Sequence, residues 1–253
     1  MSSIPAQTVV VELEQVLIDC LNANLIAPKP NENNKHLLVL NNETLIICGL
    51  SLSQVIESMR RLNVDRFEKI VVYIFDAFLG ENIRNVSQWK TKFSRFYRTL
   101  EKIDYLFVPF YESVSDFKER FSINTFYLPM ASDVLKFGSR NINRPIDING
   151  YGRQNKKHSD IFSCYFNEKN NGIYFHTDHF SISKINNFTA HRNYFWNLLR
   201  RSKIALAYDP VRVDPKNRFP FSFVAQRWFE SLSAGCVILG NRPTSDDADK
   251  LLS

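Results

Sequence analysis

The sequence predicts an α/β protein made of two Rossmann-like domains. Three observations carry that expectation. Apolar strand-like runs alternate with helical patterns almost from end to end. Several runs are continuous rather than alternating, as strands covered on both faces are. A polar stretch, Gly138 to Pro145 (GSRNINRP), interrupts the pattern once, after which it restarts. Such alternation requires parallel sheets with crossover helices.

The elements follow in order. Residues Thr8 to Leu21 place Val9, Leu13, Val16, Leu17 and Leu21 on one helical face. A Pro/Asn-rich loop (Pro28 to Asn34) precedes the strand-like runs HLLVL and TLIIC. A helix is expected from Ser51 to Leu62, capped by Ser51 or Ser53. KIVVYIF (Lys69 to Phe75) is β-branched and unbroken, the mark of a fully buried strand. A helix over Ser87 to Lys102, the strand IDYLFVP, a helix near Ser113 to Arg120 and the strand INTFYLP complete the first half.

The second half opens with the strand IDING and a Gly-containing turn, then a helix over Lys157 to Phe166 and the strand GIYFHT. Thr189 is the expected cap of a helix facing Phe195, Leu198 and Leu199 inward. KIALAY, a helix from Ser222 to Ala234 and CVILG follow. Domains of 1–138 and 139–253 result, with any ligand near the carboxyl ends of the strands or between the halves.

Composition narrows the class further. The 253 residues are 44% hydrophobic and 13% aromatic, with 21 Phe but only 8 Gly and 10 Pro, which excludes a disordered or collagen-like chain. The net charge of +6 is modest for this length and fits a nucleic acid, an anionic membrane face, a phosphorylated ligand or none of these. No helix-turn-helix or RNP pattern is present, so nucleic acid is not an expected partner. Glu12 and Glu14 interrupt the N-terminal apolar run, unlike a secretory signal. The four cysteines (Cys20, Cys48, Cys164, Cys236) show no CxxC spacing. Together these features point to a reducing cytoplasm.

One segment is more informative than the rest: Arg227-Trp-Phe-Glu-Ser-Leu-Ser-Ala-Gly-Cys-Val-Ile-Leu-Gly240. It predicts a helix ended by Gly235 in a left-handed C′ position, followed by a buried strand. Glu230 sits mid-helix among Trp228, Phe229 and Leu232. A carboxylate there can accept two hydroxyl hydrogen bonds, as acidic residues do when they hold a ribose. It can equally be a solvated helix Glu paired with Arg227 at i−3.

The segment FVAQRWFESLSAGCVILGNRP resembles the donor-site helix and strand of GT-B glycosyltransferases, in the broad group 1 superfamily. Other pieces match in the right order over roughly Lys69 to Pro243. YIFDAF, KIDYLFVP and FYLPMASDVLKFG are similar to the last elements of the acceptor-side domain. DINGYGRQNKKH is similar to the first strand and Gly-Arg loop of the donor-side domain, and RSKIALAY to a later strand. The resemblance implies metal-independent transfer of a sugar from a nucleotide sugar to a glycan or lipid-linked acceptor, with no separate cofactor. The alternative it leaves open is a non-catalytic GT-B-like module that binds nucleotide or glycan.

Residue by residue, the resemblance implies that Glu230, with Arg227 in the same motif, binds the ribose hydroxyls. Arg153 faces the donor diphosphate, with Lys157 as second cation, because negative charge grows on the leaving diphosphate. Ser222, at the expected N-cap of the donor helix, adds a phosphate-binding terminus. Many retaining relatives carry a glutamate where Ser222 stands, so the stereochemical course is open. For the inverting course, Asp76 is the candidate base taking the acceptor proton, although an Asp after a strand is more often a loop or cap residue. His176, at a strand end, is a candidate contact for donor phosphate or sugar. HTDH (His176, Asp178, His179) and the pair Asp247 and Asp249 are weak metal patterns, and no metal is expected. A typical donor domain continues beyond the ribose helix, so the second domain is expected to be shortened or the chain a fragment.

The stretch Trp89 to Lys102 sets Lys90, Lys92, Arg95, Arg98 and Lys102 beside Phe93, Phe96, Tyr97 and Leu100. A basic amphipathic helix of this kind can make peripheral contact with the cytoplasmic membrane face or a lipid-linked acceptor. The commoner arrangement is a core-packed helix with a solvated basic face.

Overall fold

The computed structural model describes residues 8–26, 43–62, 64–79, 95–138, 143–152, 154–177, 187–213 and 219–252. It divides into two units, Met1–Pro129 and Met130–Ser253. The segment Met130 to Gly138, which the sequence groups with the first half, falls in the second unit. Arg153, Asp178, His179 and the run HLLVL lie outside the described residues.

In the first unit, α1 (Thr8–Leu21) precedes β1 (Thr44–Gly49), α2 (Leu52–Arg61) and β2 (Lys69–Ile74). Then come α3 (Arg95–Leu100), β3 (Tyr105–Val108), α4 (Tyr111–Phe121) and β4 (Thr125–Tyr127). The four strands are parallel and lie in chain order, β1-β2-β3-β4. One face turns Leu45, Ile47, Ile70, Val72, Ile74, Leu106 and Val108 into the core, following the two-residue period of the strand. Val71 in β2 is only half-buried, so KIVVYI is not buried on both faces throughout, as its composition suggests. Of the basic stretch, the described part is α3, which buries Tyr97 and Leu100. Among the described residues no helix is long and apolar enough to cross a membrane.

The second unit contains α5 (Val134–Phe137), β5 (Ile146–Gly150), α6 (Lys156–Phe162) and β6 (Tyr174–His176). It continues through α7 (Phe188–Arg200), β7 (Ser202–Leu206) and α8 (Pro210–Val213). The last elements are α9 (Gln226–Ser233), β8 (Val237–Leu239) and α10 (Asp246–Leu251). Its sheet is also parallel, in the order β6-β5-β7-β8. Apolar clusters hold it, among them one of Ala207, Val224, Trp228 and Ala248 and two more. One joins Trp196, Leu199, Ala205, Ala234 and Cys236, with Phe137 stacked on Trp196 at 4.4 Å. The other joins Ile148, Tyr174, Leu206 and Tyr208. Both units are therefore α/β and Rossmann-like.

Three helix termini show how local chemistry sets the boundaries. α7 starts after Asn187, whose Oδ1 accepts the Ala190 N–H at 2.8 Å, two residues before the expected cap Thr189. An Asx side chain in extended conformation competes successfully for that place. α9 starts at Gln226 with Ala225 as N-cap, so Ser222 is outside the helix and not its cap. The hydroxyl of Ser222 is held by Asp209 and the Thr244 N–H instead. The end of α9 agrees with the sequence: Gly235 has φ +74, and the Cys236 N–H returns to the Ser231 carbonyl at 3.0 Å.

Candidate functional site

The strand order of the second unit has a consequence for chemistry. β5 lies between β6 and β7, so the chain leaves β5 to one side and returns on the other, which puts the topological switch point, where such sheets bind ligands, at the carboxyl ends of β5 and β7. What fills that end is polar. Tyr151 and Gly152 follow β5, His176 and Thr177 close β6, and Tyr208 and Asp209 follow β7.

Gly152 turns the chain in the left-handed region (φ +69), and its N–H donates to Thr177 Oγ1 at 3.2 Å. A Cβ on Gly152 would lie 3.0 Å from the Arg227 guanidinium, so a side chain there would press on α9. Arg227 in turn lies over the Tyr151 ring, 5.5 Å from its centroid. The β5 turn and the Arg-x-x-Glu helix are thus packed together.

Glu230 is 4% exposed and its carboxylate is engaged on both oxygens. Oε1 accepts from Arg192 Nη2 at 2.6 Å, and Oε2 lies 3.2 Å from the Tyr151 hydroxyl. That hydroxyl's one proton also has the Arg227 carbonyl within reach at 3.1 Å. Burial, then the Glu230 charge, pushes the Tyr151 phenol well above its ordinary range, so it stays a donor. Arg192 is 9% exposed, with its guanidinium 4.4 Å from the Phe195 centroid and 5.4 Å from that of Trp196. Glu230 is therefore a buried ion-paired carboxylate whose counter-charge, Arg192, comes from another helix. A paired carboxylate stays an acceptor.

Around this centre lie other polar groups. His158 Nδ1 is 3.2 Å from the Tyr208 hydroxyl, and Ser159 Oγ is 2.9 Å from that of Tyr174. His176 stacks on Tyr174 with nearly parallel rings. Asp209 is buried; Oδ2 accepts from Ser222 Oγ at 2.8 Å and Oδ1 from the Val211 N–H at 3.1 Å. Lys157 is exposed in the first turn of α6, the helix that follows the β5 turn.

Of the residues singled out by sequence, the structure brings Arg227 and Glu230 against the Tyr151–Gly152 turn. His176 is on the neighbouring strand, in register with Gly150. Asp76 belongs to the first unit, where it is exposed just beyond β2 and its N–H donates to the Leu50 carbonyl at 2.7 Å. Among the described residues no group of three His, Cys, Asp or Glu side chains is placed to hold a metal.

Sequence reasoning missed Tyr151, Arg192, His158 and Tyr208. Arg192 left a signal: Phe195, Trp196 and Leu199 lie at i+3, i+4 and i+7, so a cation stands on the apolar face of its helix. An aromatic between two glycines, Gly150-Tyr151-Gly152, marks the other.

Fold and site together define an α/β protein of Rossmann-like class with a polar cluster at the carboxyl end of its second sheet. No protein-family model matches the sequence, and no curated protein matches it. Among solved structures, the chain is similar to one described as the glycosylation associate protein (Gap123) complex from Streptococcus agalactiae. That similarity has a TM-score of 0.37 at 11% identity and covers 81% of this chain and 43% of the other. The chain thus spans less than half the length of that structure.

Proposed function

We propose that this chain acts in glycosylation as a handler of nucleotide sugars. In this reading the second unit binds the nucleotide part of the donor at the carboxyl ends of β5 and β7, and the first unit receives a glycan or lipid-linked acceptor. The observation that supports it is the convergence of the β5 turn with Arg227 and Glu230. Those are the sequence-distant pieces that the GT-B-like motifs single out. Glu230 takes the ribose hydroxyls, Arg153 and Lys157 take the diphosphate, and His176 contacts donor phosphate or sugar. Transfer needs a base for the acceptor hydroxyl, and Asp76 is the candidate.

A panel of uridine, guanosine and cytidine diphosphate sugars, read by thermal shift and then by product analysis, tests this. At least one donor should raise the melting temperature and release its nucleoside diphosphate when acceptor is present. No shift with any donor removes the nucleotide site.

A second reading, binding without turnover, is favoured by one observation. Ser222 stands where many retaining relatives have a glutamate, and its hydroxyl is already engaged by Asp209 and Thr244. Donor binding without release of nucleoside diphosphate would select it.

A further inference from the structure

We infer that Arg192 and Tyr151 are positioning residues that hold the Glu230 carboxylate in the orientation that accepts the 2′ and 3′ hydroxyls of a ribonucleotide. This rests on the nucleotide reading and goes beyond it by naming what aims the acid. A glutamate on a helix ordinarily rotates freely about its last torsion. Glu230 does not, because Arg192 Nη2 fixes Oε1 at 2.6 Å and the Tyr151 hydroxyl stands 3.2 Å from Oε2.

Stability alone would be met as well by apolar residues at both 192 and 230. Arg192 occupies the apolar face of α7, with its guanidinium against Phe195 and Trp196. A buried ion pair is generally no more stabilising than apolar residues of the same volume. What an arginine supplies and a leucine cannot is a directed, permanently charged donor for one carboxylate oxygen. The aromatic rings also confine the guanidinium, so the ordering entropy is met during folding and not at ligand binding. Tyr151 couples this device to the β5 turn, since it follows the strand directly and reaches α9 with its hydroxyl.

The test uses the full chain as wild type, Tyr151→Phe, Arg192→Lys and Arg192→Met. Calorimetric Kd values are measured for UDP, GDP and CDP, their 2′-deoxy counterparts, and inorganic pyrophosphate. Wild type should prefer the ribonucleotide by about tenfold or more, the worth of one charge-assisted hydrogen bond. Tyr151→Phe and Arg192→Lys should shrink that preference to about threefold or less, with pyrophosphate affinity unchanged. An Arg192→Met chain that folds should lose it entirely. A merely structural role would lower every affinity together and leave the ratio intact. The proposal is overturned if folded variants keep the wild-type ratio, or if wild type binds nucleotides with no ribose preference. In both cases the nucleotide site itself survives. No binding of any nucleotide by wild type overturns both. Should the Arg192 variants fail to fold, Tyr151→Phe decides alone, because it strands no charge.

Discussion

Arg192→Ala removes one partner of a buried ion pair and leaves the other largely desolvated and without that counter-charge. Glu230 is 4% exposed and sits 2.6 Å from the lost guanidinium. Breaking such a pair on one side costs about 3–5 kcal/mol. The lost contact with Phe195 at 4.4 Å and Trp196 at 5.4 Å belongs to the same truncation and is included in that figure. A total near 4 kcal/mol is large against the 5–15 kcal/mol or so that holds a domain folded. For a unit of roughly 120 residues, the unfolding entropy converts each kcal/mol to about 4 °C, so the transition should fall by about 16 °C. Urea and thermal melts followed by tryptophan fluorescence measure this directly. Two of the three tryptophans, Trp196 and Trp228, are in the second unit, and Trp196 touches the mutated side chain. The double variant Arg192→Met, Glu230→Leu removes both charges and should recover most of the loss. A single-variant loss below about 1 kcal/mol would refute the reasoning, since it would mean the pair is solvated and worth no more than a surface ion pair.

Other perturbations probe the frame around the site. Arg144 donates to the Ala234 carbonyl and the Ser202 carbonyl, both at 2.7 Å, tying the end of α9 to the start of β7. Arg144→Ala should destabilise the second unit by about 2–4 kcal/mol in urea melts, with Arg144→Lys recovering part. Gly152→Ala puts a side chain at φ +69 and 3.0 Å from Arg227, so a loss of about 1–3 kcal/mol is expected, together with weaker nucleotide binding in the thermal-shift panel. Asp147 is held below its ordinary 3.8 by the Lys203 ammonium and the Ile173 N–H. Its contribution is complete above that ordinary value and is lost as pH falls through the lower folded value. Acid titration of wild type against Asp147→Asn should show wild type losing more stability over that window, and parallel curves would disprove the linkage.

Much of the fold is legible because its code is local. Unbroken runs such as KIVVYI read as strands by their short length and β-branching, and residues Phe195, Leu198 and Leu199 recur at helical spacing, so element types follow from near neighbours in the chain. Gly235 is likewise readable, since a helix end followed by an apolar run needs a left-handed residue without a Cβ. Caps are less readable. Asn187 and Thr189 can both begin a helix, and only the extended backbone at 187 brings the Asn187 side-chain Oδ1 onto the Ala190 N–H. Ser222 fails as a cap for the same reason: Asp209 and Thr244, distant in sequence, hold its hydroxyl.

The sequence by itself determined two parallel α/β units, the order of their elements and the segment that carries Arg227 and Glu230. Those follow from periodicity and from residue types at short spacing. Tertiary structure alone decided what Glu230 is bound to. Spacing offers Arg227 at i−3, whereas the ion pair at 2.6 Å is with Arg192, separated from Glu230 in the chain by β7 and α8 and brought there by the packing of α7 against the sheet. Within a helix, an exposed i−3 pair is worth a few tenths of a kcal/mol. A buried carboxylate requires a full counter-charge wherever the fold supplies one. Burial is a property of the whole chain, so the identity of that partner could be settled only after folding.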